Sequence, residues 1–141
     1  MKRLVNIPLI VIVFAGVLVI NAHAQTKLIA SIPFAFSAGK TTLPAGKYTI
    51  TVLNPASDRK ILQIRSLNGR SSAVILTMGI IGNASENAKL VFERYGDRYV
   101  FAQAQLAGDE TTLAAVRSRS DRGDKHMAKA GKKNVVVINA E

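Results

Sequence analysis

The sequence predicts an all-β fold, a small antiparallel β-sandwich or barrel of seven or eight strands behind an N-terminal signal peptide. Two observations carry this prediction. Between residues 28 and 105, short segments alternate apolar and polar side chains with a period of two, as a strand with one buried face requires. Turn-forming residues separate those segments, among them Leu43-Pro44-Ala45-Gly46, Asn68-Gly69 and Gly96-Asp97. A length of 141 residues holds one modest domain of this kind.

The leader comes first in the chain. Lys2 and Arg3 precede an apolar run over residues 9–20, and Ala22-His23-Ala24 supplies small residues where a signal peptidase cuts. Export with cleavage after Ala24 is expected, to the periplasm or the extracellular space, with no transmembrane anchor left behind. The remaining 117 residues carry 17 basic and 9 acidic side chains, a formal charge of +8. With no cysteine anywhere, neither disulfides nor thiolate metal sites are available, so apolar burial must stabilise the fold.

Taken in order, LIASIPFAF reads as a strand at an edge or with a bend, because Pro33 cannot donate to a ladder. Leu43-Pro44-Ala45-Gly46 fits a type I turn, after which Tyr48, Ile50 and Val52 alternate with Lys47, Thr49 and Thr51. In KILQIRS, Leu62 and Ile64 share one face and Ile61, Gln63 and Arg65 the other. Asn68-Gly69 then marks a hairpin, and the return strand groups Val74, Leu76 and Met78.

The segment FERYGDRYVFAQ crowds Glu93, Arg94, Asp97, Arg98 and two tyrosines around Gly96. A two-residue type II′ turn at Gly96-Asp97 pairs Tyr95 with Arg98, Arg94 with Tyr99, Glu93 with Val100 and Phe92 with Phe101. That register places Leu90, Phe92, Tyr99 and Phe101 toward the core and the charges at the solvent end of a ribbon. The cluster therefore reads as a turn and not as a site.

The sequence divides into a signal peptide at 1–24, a β-domain at 25–113, a basic segment at 114–133 and a final strand at 134–141. Residues 111–116 fit either a short strand or a helical turn. The basic segment holds seven basic and two acidic residues. Its cations Arg117, Arg119, Arg122, Lys125, Lys129, Lys132 and Lys133 are candidate anion-binding residues for polysaccharide or lipid headgroups. It contains no aromatic residue to stack bases, so no specific nucleic-acid binding is expected. In NVVVINAE, Val135, Val136, Val137 and Ile138 form a strand that either completes the chain's own sheet or self-associates with a neighbour's edge.

The stretches IPFAFSAGKTTLPAGKYTI and LVFERYGDRYVFAQ together resemble small exported all-β proteins of unassigned function from acidobacterial genomes. The likeness covers residues 29–105. It departs where Val100 precedes Phe101, at a position the family fills with an aromatic residue. The resemblance implies export and an all-β domain, and it implies no catalytic residues.

No catalytic residue, metal ligand or cofactor-binding residue is assigned from the sequence. Beyond the leader the one histidine is His126, set between Lys125 and Met127 in the basic segment. The carboxylates are scattered, and Asp109-Glu110, if in a strand, points its two acids to opposite faces. Gly79-Ile80-Ile81-Gly82 lacks the lysine of a phosphate-cradling loop. Asn83-Ala84-Ser85 matters as a sequon only in a eukaryotic secretory pathway, and Arg122-Gly123-Asp124 lies within the basic segment. The expectation is an exported, non-enzymatic binding or structural module. Edge-pairing assembly and binding to an anionic surface are the alternatives.

Overall fold

Alternation in the sequence becomes alternation in burial, strand by strand. The structure, a computed structural model, describes residues 26–117 and 134–141. Its ten strands are β1 (Lys27–Ile32), β2 (Phe36–Ala38), β3 (Thr41–Leu43), β4 (Gly46–Val52), β5 (Ile61–Ser66), β6 (Ser72–Ile81), β7 (Ala88–Tyr95), β8 (Arg98–Gln105), β9 (Thr111–Ala115) and β10 (Asn134–Ala140). The described residues contain no helix, so the fold is all-β. In β1, Leu28, Ala30 and Ile32 are buried while Lys27, Ile29 and Ser31 face out. Strand β4 does the same with Tyr48, Ile50 and Val52 inward.

Hydrogen bonding joins all ten strands into one sheet in the order β1-β4-β5-β6-β9-β8-β2-β3, with β7 beside β8 and β10 beside β7. Strand β6 is the corner. Its residues 72–76 pair with β5 and its residues 77–81 with β9. Thr77 donates its N–H to the Lys60 carbonyl at 2.9 Å, and the Leu76 carbonyl accepts from the Val116 N–H at 2.9 Å. Successive residues of a strand aim these groups at opposite edges, so β5 and β9 flank β6 on either side. At the other seam, Ile29 and Glu141 exchange both backbone hydrogen bonds, at 2.8 and 2.9 Å. The curled sheet thus brings its β1 edge against the end of β10 at one residue pair.

Every strand from β1 to β9 contributes to one core, and Val136, Ile138 and Ala140 of β10 pack against it. Phe92 stands in the middle, with the rings of Phe34, Phe36 and Phe101 at 5.2, 5.2 and 5.8 Å, all near-perpendicular. Such edge-to-face contacts stabilise beyond the area they bury.

The expected strand count is corrected. Ten strands replace seven or eight, because LIASIPFAF divides at Pro33 into β1, at one end of the strand order as the edge reading expects, and β2. In addition, Gly39-Lys40 turns β2 into β3, where Ala38 pairs with Thr41. Residues 111–115 form strand β9, which resolves the strand-or-helix alternative. The final strand, β10, pairs with β7 along seven residues of the same sheet. Val136 and Ile138 pack against the core, as the alternative in which the strand completes the chain's own sheet expects. Val74, Leu76 and Met78 share a face as expected, and it is the outer one, since Ala73, Ile75 and Thr77 are buried.

The hairpin register is the expected one, from Tyr95 opposite Arg98 to Phe92 opposite Phe101. Gly96 has φ of 61° and no non-glycine residue takes a positive φ. That combination excludes the type I′ turn, which needs positive φ at both central residues, and fits type II′. At Asn68-Gly69 only Gly69 is positive, at 72°. The hairpin there has a longer loop, closed where Ser66 N–H meets the Ser71 carbonyl at 2.8 Å.

Candidate functional site

Strands β1, β4 and β5 turn nine side chains outward. Lys27, Thr51 and Gln63 form one row across the three strands, Ile29, Thr49 and Arg65 the next, and Ser31 stands beside Lys47. Ile61 completes the set. Three of the nine are cationic and none is a carboxylate. Glu141 meets the β1 edge through its backbone, which exchanges hydrogen bonds with Ile29.

A cavity of about 540 Å³ opens on this face, lined by Lys27, Thr49, Thr51, Gln63, Arg65 and the loop from Ser66 to Gly69. The loop is held from within. Asn68 Oδ1 accepts from Ser66 Oγ at 2.7 Å and from the Arg70 N–H at 3.0 Å, while Ser66 Oγ accepts from the Ser71 N–H at 3.0 Å. This side-chain capping fixes a short loop without using a strand ladder. A Cβ on Gly69 would stand 3.6 Å from the guanidinium of Arg65, so the loop closes over that head group. Two cations, two threonine hydroxyls and an amide converge on open space without any aromatic ring. Such a surface holds anions by charge and hydrogen bonds, not sugar rings by stacking.

The residues singled out by sequence divide differently. Arg117 is not a free cation. Lying just past β9, it forms a salt bridge with Glu93 and donates to Tyr95 Oη at 3.2 Å, while Tyr95 Oη donates to Glu93 at 2.5 Å. Burial disfavours its charge, but the bonds to Tyr95 and Glu93 and the Glu93 charge outweigh that, holding the guanidinium above its ordinary value. Of the candidate anion-binding cations, Arg117 has its charge matched within the chain by Glu93. Arg119, Arg122, Lys125, Lys129, Lys132 and Lys133 lie outside the described residues, as do His126 and Arg122-Gly123-Asp124.

The crowded hairpin is a braced turn. Beyond the Glu93–Arg117 pair, Arg94 Nε donates to the Gly96 carbonyl at 2.8 Å and its guanidinium lies 5.4 Å from the Tyr99 ring. Phe34 stacks on the other component of that pair, 3.8 Å from Tyr99 and 13° from parallel. Asp109 and Glu110 precede β9 instead of lying in it. Asp109 caps the strand, accepting from the Thr111 N–H at 2.7 Å. Among the described residues no three His, Asp or Glu side chains gather as a metal site would require.

Sequence reading missed the groove because it saw Thr49 and Arg65 only as one-face positions of separate strands and assigned Lys27 to none. A signal existed in the absence of acids from every outward position of those strands. It gains meaning only once β1 is known to pair with β4. No family model, no curated protein and no solved structure matches this chain.

Proposed function

We propose that this is an exported, non-enzymatic binding module that holds a carboxylated or sulfated polysaccharide on the outer face of β1, β4 and β5. One observation carries the reading. Lys27, Lys47 and Arg65 share a face with Thr49, Thr51 and Gln63, with no carboxylate among the outward residues of the three strands. A polyanion laid across the strands meets charge at both ends of the groove and hydroxyl and amide donors between. The leader sequence supports export, and the net charge of +8 beyond it supports attraction to anionic polymers at a distance. The groove's side chains are donors, and none is paired with a base that would activate it.

Calorimetric titration with polygalacturonate, dextran sulfate and neutral dextran tests the proposal. The two polyanions are expected to bind and neutral dextran not to. Affinity should fall with salt and drop about fivefold for each of Lys27→Ala and Arg65→Ala. Equal binding of neutral dextran, or polyanion binding untouched by both substitutions, would overturn it. Anionic vesicles serve as a further arm, and binding to them alone would replace polysaccharide with lipid headgroups.

A further inference from the structure

The outer face of β6 is a run of exposed aliphatic side chains. Val74, Leu76, Met78 and Ile80 are its outward side chains, exposed by 60, 43, 54 and 47%. They carry no charge, and their neighbours extend the apolar area sideways. Leu76 sits between Ile61 on β5 and Val116 just past β9, and Met78 lies beside Ala114. The result is a cross of apolar side chains centred on Leu76 and Met78, where a solvent face would be polar.

We infer that this face is the contact between two copies of the chain, packed sheet against sheet about a two-fold axis. The argument is one of size and symmetry. The cross exposes roughly 400 Å² of apolar surface, within the range where a monomer's largest patch is usually functional. Covering it with a second copy, together with the polar rim, buries roughly 1,000 Å² across both chains, the size at which an interface becomes specific. The stripe is also self-complementary. An axis passing near Thr77 lays Leu76 of one copy against Met78 of the other and Val74 against Ile80, as an isologous contact requires. Aligned sheets pack face to face at about 10 Å with interdigitated side chains, which four adjacent aliphatic residues can supply. This association differs from strand pairing through β10, which pairs with β7 in the chain's own sheet. It uses none of the residues that line the cavity and stands whether or not the groove binds polyanions.

Sedimentation equilibrium of the protein as recovered from expressing cells tests it. A monomer–dimer equilibrium is expected, weakened at least tenfold by Met78→Lys. Added salt should tighten it by screening the like net charge of the two copies, the opposite of its effect on polyanion binding. Met78→Gln, which adds no charge, provides the same comparison should the lysine variant unfold. Because the chain has no cysteine, Met78→Cys and Thr51→Cys can each be treated with a short bis-maleimide. Only the first should give a cross-linked dimer. A monomer at every concentration up to about 1 mM, a dimer indifferent to both Met78 variants, or cross-linking through Thr51→Cys instead would overturn the inference. So would a stripe that associates only with lipid vesicles.

Discussion

Tyr48 shows how much one side chain does in a fold without covalent staples. Its ring is buried against Phe36 at 5.4 Å, and its hydroxyl donates to the Pro44 carbonyl at 2.5 Å. Pro44 lies in the link that carries the chain from β3 to β4, so this bond ties a corner to the core. Burial raises the phenol above its ordinary value. The folded chain therefore keeps a proton that the unfolded chain releases near pH 10. The stability that follows is whole below that pH and is lost as pH rises through the folded value. Tyr48→Phe should cost about 1 kcal/mol near neutrality and show a shallower alkaline decline than the parent. Urea unfolding from pH 7 to 11 measures both. The Arg117–Glu93 pair offers a second residue-scale test. Arg117→Met and Glu93→Gln in a double-mutant cycle should give a coupling of about 1 kcal/mol, the upper end for a partly exposed pair. The coupling should shrink in 1 M salt. A coupling near zero would leave the bridge with no structural weight.

Among elements, β10 separates what sequence shows from what only topology shows. Its Val-rich composition marks it as a strand, but nothing in NVVVINA names β7 as its partner. That partnership brings Val136 opposite Phe92 and Ile138 opposite Leu90. Losing residues 134–141 removes a seven-residue ladder and uncovers the row that supports Phe92. The cost should exceed about 5 kcal/mol, most of what a domain this size possesses, and thermal unfolding of the truncated chain would show it. A truncated chain as stable as the parent would mean that β10 is an appendage. The hairpin β7–β8 is the converse case. Turn chemistry at Gly96-Asp97 fixed its register in advance, because a two-residue type II′ turn leaves one pairing for Tyr95 and Arg98. Strand β6 was half legible. Its period of two is plain, but Val74, Leu76 and Met78 are larger than Ala73 and Thr77, and bulk alone points the wrong face inward. The structure buries Ala73, Ile75 and Thr77, with the Thr77 hydroxyl donating to the Lys60 carbonyl, and leaves the larger residues outside.

At the scale of the whole molecule, the sheet presents two outer faces of different chemistry from one alternating pattern. Strands β1, β4 and β5 turn out cations, hydroxyls and an amide, and β6 turns out aliphatic side chains. All-β character was legible because it depends on local alternation and turns. The faces were not, because each is assembled from strands that are distant in sequence or linked through the β6 corner. The central claim is that the first face, rather than the basic segment, binds polyanions. Amide chemical shifts recorded while oligogalacturonate is titrated into the labelled protein test it most directly. The account predicts perturbations centred on Lys27, Thr49, Thr51, Gln63, Arg65 and Asn68. Shifts confined to residues 118–133, with that face silent, would contradict it.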